Sequence, residues 1–82
     1  MNFEECVSKI NERKDDVQKM SETDVLKLYG LYKQSTVGDI NIDCPSVFNF
    51  KETKKWYAWD NFKGLDKKIA KQLYCDMVNY FC

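Results

Sequence analysis

Apolar side chains recur at helical spacing through four stretches of the chain. Phe3, Val7, Ile10 and Val17 form one stripe, interrupted at Lys14, behind an Asn2…Glu5 capping pair. The period is lost between Asp15 and Met20, which predicts a loop there. Ser21 begins a second helix with Asp24 at its third position, and Met20 can staple onto Val25 across the cap. Val25, Leu28, Tyr29 and Tyr32 then follow at i, i+3, i+4 and i+7, until Gly38 supplies a stop. Residues 39–49 are rich in turn formers (Asp39, Asn41, Asp43, Pro45, Ser46, Asn49). The interspersed Ile40, Ile42, Val47 and Phe48 predict a loop that packs down on the protein. A third helix is expected over 51–62 with Trp56, Trp59 and Phe62 on one side, broken by Gly64. Asp66 can cap a fourth. There Ile69, Leu73 and Met77 alternate with Ala70, Tyr74, Val78 and Phe81, a face broad enough to be buried on more than one neighbour. The expected fold is all-α, four helices packed helix on helix, in one domain spanning residues 1–82.

Composition narrows the chemistry. At 82 residues there is room for a single small core, and 44% hydrophobic with 32% charged residues is the balance of a soluble globule. There is no histidine, hence no neutral-pH acid/base group of the usual kind and no commonest metal ligand. Cys6, Cys44, Cys75 and Cys82 form no Cys-x-x-Cys pair, so a structural metal is not expected, and four free thiols are. The three glycines are scattered, which leaves no phosphate loop. The acid pairs Glu4-Glu5 and Asp15-Asp16 fit solvated capping better than catalysis. Nothing supports an enzyme. No apolar run approaches the roughly 18–20 residues that span a bilayer, and the N-terminus lacks a signal-peptide pattern, so a cytoplasmic protein is expected.

Thirteen basic residues balance thirteen acidic ones, which argues against broad polyanion binding. The zero hides a gradient. Residues 1–50 carry six basic against nine acidic residues, whereas residues 51–71 carry seven lysines against three acids. Arg13 is the sole arginine, which disfavours nucleic-acid readout. One constellation stands out: Tyr29, Tyr32 and Lys33 on successive turns of the second helix, Lys55 before Trp56 on the third, and Tyr74 on the fourth. Gathered together, these groups can stack a base and neutralise phosphate; at helical spacing the aromatics serve equally well as core.

Residues 28–39 read Leu-Tyr-Gly-Leu-Tyr-Lys-Gln-Ser-Thr-Val-Gly-Asp. Phe50-Lys51, Lys54-Lys55-Trp56-Tyr57-Ala58-Trp59 and Lys63-Gly64 follow in order. From about residue 20 to 80 the chain closely resembles the acyl-CoA-binding protein family, whose signature is Tyr-x-x-Tyr-Lys-Gln-x-Thr-x-Gly-Asp, then Phe-Lys and Lys-Trp-x-x-Trp. The resemblance implies an up-down-down-up four-helix bundle that binds medium- to long-chain fatty acyl-CoA esters. It further implies an intracellular carrier and pool former in lipid metabolism, monomeric, without cofactor, stable membrane insertion or more than transient membrane contact. The ligand contacts it implies are Tyr29, Gly30, Leu31, Tyr32, Lys33, Lys51, Lys55 and Tyr74, with Lys14 where no gap precedes the second helix and Val25 as an acyl contact. Lys33, Tyr29 and Lys55 would lie near the nucleotide 3′-phosphate, and Tyr32 would stack on adenine. A gap before the second helix slides the Lys14 match to Asn11. Val25, Leu26 and the first-helix stripe are candidates for the acyl groove, and equally for core. Cys44 before Pro45, Glu52-Thr53 at the turn into the third helix, and Tyr57 between the tryptophans depart from the family pattern. The chain ends at Cys82 without further repeats or an anchor, as a minimal stand-alone type would. The alternative is a degenerate bundle that serves as a protein-interaction module.

Overall fold

The computed structural model describes residues 2–46 and 48–81; Val47 and Cys82, both invoked above, lie outside them. Helices account for all its regular structure: α1 (Phe3–Glu12), α2 (Lys14–Gln18), α3 (Glu22–Thr36), α4 (Phe50–Asp60) and α5 (Lys67–Phe81). The four longer helices make a four-helix bundle in which α3 packs on both α4 and α5, and α1 rests chiefly on α5.

The helix starts follow the chemistry read from the sequence. The Asn2 side chain accepts from the Glu5 N–H at 2.8 Å, and Ser21 Oγ from the Asp24 N–H at 3.2 Å. Asn49 caps α4 through the Glu52 N–H at 3.3 Å, and Asp66 Oδ1 accepts from the Lys68 N–H at 2.7 Å. At the end of α3, Gly38 adopts φ 98°, a left-handed conformation costly for any residue with a Cβ.

The expected loop at Asp15–Met20 is instead a short helix. Arg13 turns the chain between α1 and α2, Asp15 and Asp16 occupy the first turn of α2, and Arg13 pairs with Asp16 at 3.8 Å. One turn with a single inward-facing apolar residue, Val17, is too short to show a period, so the apolar pattern could not reveal it.

The core is Cys6 from α1, Leu28 and Leu31 from α3, and Ala70, Tyr74, Cys75 and Val78 from α5, with Phe3, Val7, Ile10, Met20, Phe62, Leu65 and Met77 packed around it. The broad apolar face of α5 is only half used. Ile69 and Leu73 are exposed, because α5 packs chiefly on α1 and α3, which cover only part of its face. The loop 39–49 also differs from expectation. Ile40 is half-buried, but Ile42 is exposed and Phe48 is 87% exposed, so these two side chains do not hold the loop down. Polar bonds fix it along α4: Trp56 Nε1 donates to the Ile42 carbonyl at 2.8 Å, and Thr53 Oγ1 to the Ser46 carbonyl at 3.2 Å. Trp59 Nε1 donates to the Gly38 carbonyl at 2.8 Å. The buried Gln34 amide donates to both Asp39 (2.9 Å) and the Leu65 carbonyl (2.8 Å), while Asp39 also accepts the Gly64 N–H at 2.7 Å. These bonds hold the Asp39 carboxyl below its ordinary pKa, the Gly64 N–H first and the Gln34 amide second. One side chain thus ties the end of α3 to the α4–α5 connection.

Candidate functional site

Tyr29, Tyr32 and Lys33 fall on one side of α3 because residues three and four apart share a helix face. Across from them, α4 brings Lys55 over the Tyr29 ring at 5.6 Å and Trp59 under the Lys33 ammonium at 4.9 Å. Both lysines are partly exposed, so each ammonium keeps one side open to a ligand while its aliphatic stem lies on an aromatic ring. Lys51 is exposed one turn before Lys55 on the same side of α4.

From α5, Tyr74 closes the cluster. Its ring centroid lies 6.2 Å from that of Tyr32, and Phe3 of α1 meets both, at 5.2 Å from Tyr74 and 6.1 Å from Tyr32. Tyr32 is 39% exposed, which leaves a ring face for a planar group to stack on. Burial pushes the Tyr29 hydroxyl above its ordinary pKa, helped by the negative charge of Glu52, so it remains an O–H donor at neutral pH.

Beside this cluster runs an apolar groove of about 270 Å³ lined by Val7, Ile10, Asn11, Val17, Val25, Leu28, Tyr29, Tyr32 and Tyr74. The short helix α2 contributes Val17 to its wall. Leu26 points elsewhere, into a second trough of about 610 Å³ between α3 and α4 with Thr23, Tyr57, Ala58 and Phe62, rimmed by the Lys54–Glu22 ion pair at 2.8 Å. Adjacent residues on a helix project about 100° apart, so Val25 and Leu26 serve different channels.

The structure therefore brings Tyr29, Tyr32, Tyr74 and Val25 to one groove, with Lys33 and Lys55 at its α4 side. It places Gly30 against the α4 backbone and Leu31 fully buried in the core, away from that groove. Lys14 lies at the start of α2 in a polar depression with Glu12, Asp15 and Asp16, and Asn11 lines both that depression and the groove. Two charged neighbours of the cluster were not singled out by their place in the sequence. Lys71 sits over the Phe3 ring at 5.5 Å, and its place three residues before Tyr74 on α5 was the available signal. Glu52 lies 3.9 Å from Lys55 on α4, a carboxylate among the cations, and the i, i+3 spacing was the available signal. Among the described residues, no three His, Cys, Asp or Glu side chains are grouped to hold a metal, and no helix is long and apolar enough to cross a membrane.

A small helical bundle with lysines laid on aromatic rings beside an apolar groove has the chemistry to hold an amphiphile with an anionic, planar head. Residues 1–78 match the sequence profile of the family described as Acyl CoA binding protein, and the chain belongs to that family. A Hypsibius protein named for acyl-CoA binding is 50% identical over 58 residues, covering 71% of this chain and 65% of its own length. The acyl-CoA-binding protein of Saccharomyces cerevisiae is 42% identical over 77 residues, 94% of this chain and 85% of the yeast protein. Among solved structures, Oryza sativa Acyl-CoA-Binding Protein 2 superposes with a TM-score of 0.88 at 39% identity, covering 96% of this chain and 84% of the rice chain.

Proposed function

We propose that this protein binds medium- to long-chain fatty acyl-CoA esters and carries them in the cytoplasm, as a monomeric single domain without cofactor or catalysis. The observation that carries this reading is the junction of two chemistries. Lys55 lies over Tyr29, whose ring lines a groove walled by Val7, Ile10, Val25 and Leu28, and Lys33 lies over Trp59 next along α3 from the groove-lining Tyr32. Lysines suit the phosphates of the nucleotide end, and charge-assisted bonds contribute about 1.5–3 kcal/mol each where partly shielded. Tyr32 offers its open face to adenine. Each methylene removed from water adds up to ~0.8 kcal/mol, so a chain in either apolar channel makes the ester a better ligand than its head group alone.

Thermal unfolding in the presence of palmitoyl-CoA, coenzyme A, palmitate or an oligonucleotide tests this. A ligand at 100 times its Kd stabilises by about 2.7 kcal/mol, so the ester is expected to raise the midpoint by about 10 °C or more. Coenzyme A and palmitate, each lacking half the site, are expected to give small shifts. Equal shifts with ester and fatty acid, or a shift with oligonucleotide alone, would overturn the assignment.

Glu52 opposes the ligand in this scheme, because its carboxylate neighbours Lys55 and would repel an incoming phosphate. Glu52→Gln is expected to tighten ester binding about two- to fivefold at low salt, the scale of an exposed charge pair, and by less at high salt. Calorimetry at two salt concentrations reads both the gain and its screening. Unchanged or weakened binding at low salt contradicts this role for Glu52.

A further inference from the structure

We infer that Cys6 and Cys75 form an oxidation site: a buried thiol pair that a disulfide oxidant converts to an intramolecular cystine, pinning α1 onto α5. Both side chains belong to the core, Cys6 fully buried and Cys75 nearly so. The Cys75 sulfur lies against the first turn of α1, which carries Cys6. The Asn2 carbonyl accepts the Cys6 backbone N–H at 3.1 Å and the Cys75 thiol at 3.7 Å. The Cys75 thiol also faces that of Cys6; burial first, then this neighbour, pushes its pKa up to about 12, which makes the Cys75 thiol slow rather than reactive toward reagents. Cys44, by contrast, is exposed, with neither of these thiols beside it among the described residues.

The position matters because of what lies on either side. Cys6 shares α1 with Phe3, Val7 and Ile10, and Cys75 follows Tyr74. Phe3 and Tyr74 are in ring contact, while Val7, Ile10 and Tyr74 line the groove. As α1 rests chiefly on α5, a covalent link there fixes the α1 wall of the groove to its α5 wall. The consequence for ligand exchange rests on the function proposed above; the bond itself does not.

Oxidised glutathione suffices as the oxidant. One cysteine thiolate attacks a glutathione sulfur, forming a mixed disulfide and expelling one glutathione thiolate. The second cysteine thiolate then attacks the protein-bound sulfur of that mixed disulfide, closing the protein S–S bond and releasing the second glutathione. Two thiols are oxidised, one disulfide is reduced, and the two protons pass to the released glutathiones.

The test is equilibration of the Cys44→Ser/Cys82→Ser protein with oxidised glutathione, which leaves only Cys6 and Cys75. Intact mass should fall by two hydrogen atoms, and proteolysis should give a linked peptide containing both residues. The bond joins distant parts of the chain, so the oxidised form should melt about 5 °C or more above the reduced form, and dithiothreitol should reverse the shift. Adding Cys6→Ser should abolish both the link and the shift. In the cross-linked protein, release of a palmitoyl-CoA probe should slow severalfold. Thiols that stay reduced, or that stop at the glutathione adduct, overturn the site. A cross-link that melts higher but releases ester at the reduced rate overturns the effect on the groove. Absence of ester binding in both redox states, with cross-link and melting shift intact, refutes the acyl-CoA reading and leaves the oxidation site standing.

Discussion

Gly30→Ala is expected to destabilise the protein by about 2–4 kcal/mol, the larger end of the range for overpacking, and to lower its melting midpoint by about 10 °C or more. Helix propensity alone predicts the opposite sign, since alanine is favoured over glycine in a helix interior by about 1 kcal/mol. Packing decides the outcome. A Cβ at residue 30 would collide with the Ala58 carbonyl oxygen, lie 2.8 Å from the Ala58 carbonyl carbon and 2.9 Å from Cδ2 of Phe62. The Phe62 ring can turn aside, but the carbonyl belongs to the backbone of α4 and cannot. Relief requires α3 and α4 to move apart, which opens the contact that sets Lys33 over Trp59 and Lys55 over Tyr29. Ester affinity should therefore fall together with stability. Because the clash is with backbone, Ala58→Gly should not rescue it. A melting midpoint within about 2 °C of wild type would show that the helices do not approach this closely.

Lys33→Ala and Lys55→Ala are each expected to weaken binding of palmitoyl-CoA about 10- to 100-fold, and the double substitution by more than either alone. The two ammonium groups sit over different rings, Trp59 and Tyr29, so neither can take over the other's place without repacking. Both lysines are partly exposed and the cation–π contacts at such sites contribute only about 0.5–1 kcal/mol, so each variant should still fold and melt within several degrees of wild type. Calorimetry across a salt series separates charge from packing: loss of a phosphate contact should flatten the dependence of Kd on salt. An unaltered affinity for either variant removes that lysine from the phosphate site. Lys71→Ala offers a comparison, since its ammonium lies over Phe3 on the α1–α5 side and not between α3 and α4.

The separate fates of neighbouring residues show what a pattern can and cannot specify. Tyr29, Tyr32 and Lys33 were legible as one surface because three- and four-residue spacing fixes a helix face before any tertiary contact forms. Glu52 faces Lys55 on α4 itself at i, i+3, whereas Lys71 joins the cluster only because α1 brings the Phe3 ring beneath it. Val25 and Leu26 look interchangeable as apolar candidates, yet they open into different channels because α3 is sandwiched between α4 and α5. The exposed Phe48, Ile69 and Leu73 fail the expectation that an apolar residue is buried, since a small bundle has too few neighbours to cover every apolar face.

The four long helices, their caps, the stop at Gly38 and the family could all be read from the order of residues, because each depends on local chemistry or on a linear motif. Three-dimensional packing was needed to seat Val17 on a short helix walling the groove and to lay Lys33 and Lys55 over aromatic rings. It also made Gly30 the contact between α3 and α4, and brought Cys6 and Cys75 together across 68 intervening residues. Such facts depend on which faces meet and how closely. Helical periodicity says which residues share a face, and only packing says what that face touches.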